Sequence, residues 1–399
     1  MKFLHTICLL FLLVSTLSAQ KNVRTFVFGH SLINHEFQVN PTPSQETSVP
    51  HWFYYLAEAA GYDYAVGGQF GFLPQHTNLP PIAQWGFDVV PGAWESDYEP
   101  FVDAGFTNIL ITPANFAQWQ APDLNYPNET VSPVSATNTV FDWCLAQDEN
   151  LTFFIYENWP DMAPYLGSGF PPNATEWDNY NDYLLGDFHE WFLEYYDLVQ
   201  SNFPNACIRM IPVGPTISKL LQQAPFDQIP IDQLYEDDAP HGRPSIYFLA
   251  SIATYMAMYE EKPVADFAVD PIIHPIIADN YQAVVDFFWE ELLAFNDSAG
   301  SSQVFCNSIT STTVLRQAAA PITLFPNPAT HQTTLQGIPQ SYSVELYDFT
   351  GKAWPFSRKW TPKGLQLDTE LLPAGIYWIA VRNEQYELIG QQKLLKSNN

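Results

Sequence analysis

Short apolar segments alternate with amphipathic ones along most of the chain, and this rhythm constrains the fold more than any other feature. The apolar segments predict β-strands at Arg24–Gly29, Tyr64–Val66, Asn108–Thr112, Leu151–Tyr156 and Cys207–Val213. The amphipathic segments predict helices at Ser48–Ala60, Trp177–Gln200, Ser245–Tyr259 and Asp279–Phe295. Because the strands are apolar throughout, both faces of their sheet should be covered. The sequence therefore predicts an α/β fold with a parallel sheet between two layers of helices.

A different pattern follows this region. Residues 300–320 are small and polar, as is typical of a linker. Beyond them the sequence predicts strands at Ser343–Tyr347 and Ile376–Val381, with a turn at Phe349–Lys352. We therefore expect an α/β domain over residues 21–299 and a small all-β domain over residues 321–399.

The charge is distributed unevenly between these parts. The whole chain of 399 residues has a formal net charge of −28. Thr25–Leu315 contains four basic and 37 acidic residues, a net charge of −33, whereas Arg316–Asn399 contains eight basic and six acidic residues, a net charge of +2. So acidic a surface disfavours nucleic acid and anionic membranes as partners, since both are bound by clustered Lys and Arg. A hydrophobic content of 47% excludes an acidic disordered chain.

The first 20 residues have the pattern of a secretory signal peptide. Lys2 precedes an apolar run from Ile7 to Leu17, and the small residues Ser18 and Ala19 follow it. The run is too short to span a bilayer, and no later segment is long enough, so we expect an exported protein without a transmembrane helix. The mature chain would retain Cys144, Cys207 and Cys306, which permit a single disulfide in an oxidising compartment.

Two motifs at the edges of the α/β domain indicate nucleophilic catalysis. Ser31, in Gly29-His30-Ser31-Leu32, follows the first predicted strand, where backbone N–H groups can stabilise an oxyanion. His241, in Asp238-Ala239-Pro240-His241, precedes the helix at Ser245. An Asp three residues before a His can orient the imidazole while its other nitrogen deprotonates a Ser. We therefore expect Ser31, His241 and Asp238 to form a catalytic triad, which needs neither a metal nor a cofactor.

These motifs resemble the first and last blocks of the GDSL/SGNH hydrolases, over about residues 24–262. The resemblance implies a three-layer α/β/α fold of flavodoxin-like order, with Ser31 as nucleophile, His241 as base and Asp238 as its orienting carboxylate. It also implies an oxyanion hole built from Asn115 and a loop glycine, either Gly71 or Gly68. The chain departs from the family pattern at His30, where Asp or Asn is usual, and beside Asn115, where Pro113 and Phe116 replace Gly and Asp.

Other histidines are candidates for the same site. His274 follows Asp270 by four residues and is a rival base, although its surroundings are apolar and rich in proline. His76, after the Gly-rich stretch, and His30 are predicted to contact the substrate. His35, His51 and His189 have no partner at useful spacing and are predicted to be surface or packing residues.

The expected activity is hydrolysis of an ester through an acyl-enzyme. Six tryptophans suit stacking against sugar rings, and several fall in loops near the predicted site: Trp85, Trp94, Trp119, Trp143, Trp159 and Trp177. The strongly negative charge disfavours acidic polymers, so the predicted substrate is a largely neutral acetylated glycan. The alternative is a secreted, non-catalytic protein that binds glycans on a hydrolase-like scaffold, an interpretation that the departures at His30, Pro113 and Phe116 favour.

Four motifs in order near the C-terminus carry a second resemblance. They are Leu324–Ala329 (LFPNPA), Tyr347–Lys352 (YDFTGK), Leu372–Tyr377 (LPAGIY) and Lys393–Lys396 (KLLK). They resemble the C-terminal sorting domain of type IX secretion cargo in Bacteroidetes. The resemblance implies an Ig-like β-sandwich over about residues 321–397, the type IX secretion machinery as a partner, and a secreted or surface-attached protein.

Overall fold

The structure is a computed structural model, and it describes residues 21–35, 45–113, 120–306, 323–348, 352–361, 363–382 and 388–397. The chain forms two compact units that divide between Ser308 and Ile309. The predicted signal peptide, residues 1–20, and the predicted linker beyond Cys306 lie outside the described residues. Within the described ranges, none of the helices has the length and apolar character that crossing a bilayer requires.

The first unit contains a five-stranded parallel sheet of order β2-β1-β3-β4-β5. Its strands are β1 (Asn22–Gly29), β2 (Asp63–Phe70), β3 (Asn108–Ile111), β4 (Thr152–Tyr156) and β5 (Cys207–Ile211). Phe28 of β1 is in register with Gln69 of β2 and Ile111 of β3, so three strands end at one edge of the sheet. This confirms the predicted α/β fold and places the Ser31 segment at the carboxyl edge of the sheet.

Helices connect the strands and cover the sheet. They are α1 (Val49–Ala60), α2 (Leu73–His76), α3 (Pro133–Gln147), α4 (Ala174–Tyr183), α5 (His189–Asn202), α6 (Val213–Leu221), α7 (Pro244–Tyr259), α8 (Pro275–Asp279) and α9 (Tyr281–Ala294). Helices α3 and α5 pack against strand side chains in a single hydrophobic core, which includes Phe26, Phe28 and Ile109. Helix α1 packs against α7, which also contacts α6 and α9. The strands are buried from both sides, as their continuous apolar composition predicts.

Three local features differ from the sequence prediction. The predicted helix over Trp177–Gln200 is divided into α4 and α5 by a π-helical turn at Leu184–Phe188, where Gly186 adopts φ −104° and ψ −110°. The predictions for helices omitted α3, which begins at the cap Ser132, and α6. Strand β2 continues through the Gly-rich stretch to Phe70 instead of ending at Val66. Position 68 within this strand accommodates only glycine, because a Cβ there would lie 2.2 Å from the Trp85 ring.

A disulfide joins Cys207 at the start of β5 to Cys306, with 6.0 Å between their Cα atoms. The segment before Cys306 packs on the first unit, because Met210 N–H donates to the Gln303 carbonyl (2.8 Å) and Phe305 is buried. The predicted linker is therefore wrong over residues 300–306, which belong to the α/β unit. In the chain-entropy model, a cross-link that closes a loop of roughly 100 residues stabilises the fold by about 5 kcal/mol, because it lowers the entropy of the unfolded chain.

The second unit is a sandwich of two antiparallel sheets, of order β6-β7-β10-β9 and β12-β11-β8. Its strands are β6 (Thr323–Phe325), β7 (Gln332–Gln336), β8 (Ser343–Asp348), β9 (Arg358–Thr361), β10 (Gly364–Asp368), β11 (Gly375–Arg382) and β12 (Leu388–Lys396). Leu335 and Leu365 of one sheet share a core with Val344 and Ile379 of the other. The predicted all-β architecture of this unit is confirmed.

Candidate active site

Ser31 lies in the turn that follows β1, at the carboxyl edge of the sheet. The turn is closed by hydrogen bonds from Ile33 N–H (3.0 Å) and Asn34 N–H (3.2 Å) to the His30 carbonyl oxygen. The buried hydroxyl of Tyr247, on α7, donates to the Ser31 carbonyl oxygen (2.7 Å). These contacts fix the backbone of a half-buried serine whose side chain is free to meet a partner.

His241 is the partner of Ser31. Its Nε2 lies 3.0 Å from Ser31 Oγ, and its Nδ1 lies 2.7 Å from Oδ2 of Asp237. These contacts assign the tautomer of His241: its Nδ1–H donates to the Asp237 carboxylate, and its unprotonated Nε2 accepts the hydrogen bond of the Ser31 hydroxyl. Ser31, His241 and Asp237 thus form an unbroken line of contacts, an arrangement in which an imidazole can accept a proton from a serine hydroxyl.

The carboxylate that contacts His241 belongs to Asp237 and not to the predicted Asp238. Asp237 Oδ1 also accepts hydrogen bonds from the backbone N–H groups of Ala239 (3.1 Å) and His241 (3.0 Å), which curl the loop so that Oδ2 faces the imidazole. Asp238 is held through its carbonyl oxygen, which accepts from Met162 N–H (2.8 Å) and Ala163 N–H (3.1 Å). The prediction for Asp238 is therefore corrected to Asp237, four residues before the histidine.

The hydrogen bonds at Asp237 also stabilise its charge. Desolvation by partial burial acts to raise the pKa of Asp237, but donation from the side chain and backbone of His241 outweighs it, so the pKa is lowered. Asp237 therefore stays ionised at neutral pH, and an ionised carboxylate favours the imidazolium that forms when His241 accepts a proton.

The predicted oxyanion hole is only partly visible. Among the described residues, no acceptor is found for the Ser31 backbone N–H, which leaves it available as a donor. Gly71 directly follows β2, as predicted, but its N–H donates to the Gly29 carbonyl oxygen (2.9 Å). Gly68 lies inside β2 against Trp85, so it is not a loop donor. Asn115 lies outside the described residues.

The two histidines predicted to contact substrate are buried. His30 is 2% exposed and His76 is 0% exposed, and both side chains lie in the interior of the unit. His76 packs edge-on against Phe28. Among the described residues both rings therefore present almost no surface to a ligand, and their contact with a substrate stays a prediction.

His35 is a packing residue, one of the two roles predicted for it, and the ring on which it stacks is that of His241. Their ring centroids are 3.8 Å apart and the rings are inclined by 11°. His35 is buried, and its Nε2 lies 3.3 Å from Oε2 of Glu236. No spacing rule predicts this contact, because it joins the segment after β1 to a loop about 200 residues away. The only sequence signal is the acidic run Glu236-Asp237-Asp238 before His241.

His274, the rival base, and His189 contact residues other than Ser31. His274 caps α8, its Nδ1 accepting from Ile276 N–H (3.3 Å), while its Nε2 lies 3.0 Å from Gln233. His189 contacts the buried carboxylate of Glu157, with 2.7 Å between Nδ1 and Oε1. The structure therefore brings His241, and neither of these histidines, to the serine.

The buried histidines predict a pH-dependent stability. Desolvation lowers the pKa of His30 and of His76 from 6.5 to about 4. Above pH 6.5 both are neutral whether the chain is folded or not. Between pH 6.5 and 4 only the unfolded chain takes up these protons, and His35, whose pKa is likewise lowered to about 4, adds a third. The free energy of unfolding should therefore fall by about 4 kcal/mol per pH unit at the steepest point. The pKa of Asp237 is lowered from 3.8, so this group changes the free energy of unfolding only at pH values below this window.

Urea titrations at several pH values between 7.5 and 4.5 measure this slope. His76→Leu removes one of the three histidines whose pKa burial lowers to about 4 (His30, His35 and His76), so it should reduce their contribution to the slope by about a third. A slope in His76→Leu equal to that of the unaltered protein would contradict the assignment.

Known proteins resemble each unit separately. Residues 323–396 match the family model of the secretion system C-terminal sorting domain. Solved structures similar to the chain include a DUF4886 family protein from Bacteroides uniformis, at 15% identity and a TM-score of 0.43, with 69% of this chain and 96% of that chain covered. A protein described as a GDSL-like lipase, from Parabacteroides merdae, has 12% identity and a TM-score of 0.35, with 59% and 95% covered.

A family 3 carbohydrate esterase from Clostridium thermocellum is also similar, at 11% identity and a TM-score of 0.33, with 66% of this chain and 100% of that chain covered. No curated protein is detectably similar to the chain in sequence. The match at the C-terminus agrees with the observed sandwich and with the four motifs in it, and indicates export. Residues 323–396 are therefore a secretion system C-terminal sorting domain.

Proposed function

We propose that the first unit is a serine esterase in which Ser31 is the nucleophile, His241 the general base and Asp237 the carboxylate that orients it. The observation that supports this proposal is the unbroken chain of contacts from Ser31 Oγ to His241 (3.0 Å) and from His241 to Asp237 (2.7 Å). Its position at the carboxyl edge of a parallel sheet is where ligands bind in folds of this type.

The reaction would proceed by acyl transfer. Ser31 Oγ attacks the ester carbonyl carbon while its proton passes to His241 Nε2, and the carbonyl oxygen becomes an oxyanion. Collapse of this intermediate breaks the bond to the alcohol, which leaves with the proton from His241. Water then attacks the acyl-serine in the same way, with His241 as base, and releases the carboxylic acid and Ser31.

The oxyanion requires donors that are in place before the reaction. The Ser31 N–H is the donor that the described residues offer, and we assign the Asn115 side chain as a second on the family resemblance. Gly71 could serve only if its N–H left the Gly29 carbonyl oxygen. The resulting hole would have fewer backbone donors than the resemblance alone implies.

An acetylated, largely neutral glycan is the substrate class we propose. A net charge of −33 over Thr25–Leu315 repels anionic polymers. Of the six tryptophans, Trp85, Trp94 and Trp159 are buried, which removes them as stacking surfaces. Trp177 is partly exposed and lines a cavity of about 250 Å³ with the polar residues Asn173, Asp227 and Gln228. An aromatic ring beside amide and carboxylate groups suits a sugar ring.

We further propose type IX export, with the sorting domain as the segment read by the secretion machinery and with residues 1–20 as the signal for the inner membrane. The disulfide between Cys207 and Cys306 supports an oxidising destination. Release from the cell and attachment to its surface are both compatible with such a domain.

A serine-directed fluorophosphonate tests the esterase proposal. The purified full chain should hydrolyse a short aryl acetate, lose this activity on labelling, and carry one phosphonyl group on the peptide that contains Ser31. The reagent reports an activated serine because it reacts through the same attack on an electrophilic centre. Hydrolysis that survives complete labelling of Ser31, or a label on another residue alone, would overturn the proposal.

A further inference from the structure

The histidine pair at the site consists of His241 and His35, whose rings lie face to face. The ring centroids are 3.8 Å apart and the planes are inclined by only 11°. One face of His241 is therefore covered by a side chain that is itself 2% exposed. A rotation of the His241 ring about its side-chain bond would have to displace a buried neighbour, so the stacked ring restricts the orientation of the base.

His35 is itself held on both sides. Its backbone N–H donates to the Thr47 carbonyl oxygen (3.1 Å), and its Nε2 lies 3.3 Å from Oε2 of Glu236. The backbone N–H of Glu236 in turn donates to the carbonyl oxygen of His241 (2.8 Å). Glu236 therefore connects the ring of His35 with the backbone of His241, and the two imidazoles each have one carboxylate.

The charge of the pair follows from its surroundings. Burial and the nearby charge of His241 lower the pKa of His35 to about 4, although the negative charge of Asp237 acts to raise it. The ionisable groups near the pair are Glu236, Asp237, His30 and, 3.9 Å from Glu236, Arg243. At neutral pH His35 is thus uncharged, so it can lie against an imidazolium without repelling it.

We propose that His35 is a positioning residue for His241: a neutral imidazole, oriented by Glu236, that holds the His241 ring between Asp237 and Ser31. The kinetic test of this inference rests on the proposed esterase function, whereas its test by NMR does not. It assigns a role to the Glu236–His35 contact, which the Ser31–His241–Asp237 triad does not use.

Two substitutions separate stacking from the chemistry of the imidazole. His35→Ala removes the covering ring, and we expect kcat to fall by about 10- to 100-fold with KM nearly unchanged, since misorientation of a catalytic group by about 1 Å can cost 100-fold. His35→Phe restores a flat ring against His241 and should recover most of the lost kcat. Loss of activity through a general loosening of the fold would affect both variants.

His51 supplies the matched control. Like His35, it is a buried histidine whose Nδ1 has no hydrogen-bond partner among the described residues, but it packs on Trp52 and Tyr55 of α1. His51→Ala should therefore lower the melting temperature as much as His35→Ala does while leaving kcat unchanged. A similar fall in kcat in both variants would overturn the inference in favour of a purely structural role.

Proton NMR provides the readout that does not depend on turnover. The His241 Nδ1–H donated to Asp237 should give a strongly downfield resonance in the unaltered protein, in His35→Phe and in His51→Ala, and should broaden or vanish in His35→Ala. A resonance unchanged in His35→Ala refutes the positioning role even if the protein proves to have no esterase activity. An inactive protein in which the resonance depends on His35 refutes the proposed function alone.

Discussion

Ser31→Ala should abolish ester hydrolysis, with a loss in kcat of about 10⁴- to 10⁶-fold, and should leave the fold intact. Removal of the nucleophile from a triad typically costs this much, because base and carboxylate have no atom left to activate. In the structure, the contact of Ser31 Oγ is with His241, so the substitution deletes one hydrogen bond of a half-buried side chain. The measurement is the hydrolysis of a short aryl acetate at neutral pH.

Ser201→Ala is the matched control for this experiment. Its hydroxyl is exposed on α5 and donates to the carbonyl oxygen of Leu198 (2.8 Å) within the same helix. This variant should keep full activity. Circular dichroism and the melting temperature should be similar for both variants, and retention of activity in a folded Ser31→Ala protein would refute the assignment of Ser31.

The architecture could be predicted from the sequence because it depends on local patterns that repeat. Continuous apolar strands report burial on both faces of a sheet, whatever their tertiary partners are. The order β2-β1-β3-β4-β5 then brings the ends of β1, β2 and β3 together, which is why Ser31 could be located from the end of one strand. Boundaries were less predictable where glycines allow two conformations, as at Gly68 within β2 and at Gly186 between α4 and α5.

The contacts of the site depend on loop conformations that the spacing of residues does not specify. Glu236, Asp237 and Asp238 are adjacent acids, yet one contacts His35, the next contacts His241, and the third is held by its backbone carbonyl oxygen. Which carboxylate reaches the base depends on the backbone hydrogen bonds that Asp237 accepts within its own loop. The burial of His76 likewise depends on long-range packing against Phe28, which no local pattern reports.

Asp237→Asn should lower kcat by about 10⁴-fold, whereas Asp238→Asn should lower it by no more than a few-fold. Both substitutions exchange a carboxylate for an amide of equal size, so the pair forms its own control. An amide at 237 can still accept from the loop N–H groups of Ala239 and His241, which keeps the loop in place. What it removes is the charge 2.7 Å from His241 Nδ1.

The loss follows from the tautomer of His241. Without a carboxylate at 237, the amide N–H can donate a hydrogen bond to Nδ1, which favours the tautomer with its hydrogen on Nε2, facing Ser31. In that tautomer Nε2 cannot accept the serine proton. The Asp237→Asn substitution also removes the negative charge that would stabilise the His241 imidazolium in the transition state. Rates of aryl acetate hydrolysis and of fluorophosphonate labelling should fall together in Asp237→Asn and stay near normal in Asp238→Asn. The reverse order of the two variants would restore Asp238, three residues before His241, as the orienting carboxylate and show that the loop changes conformation in the working enzyme.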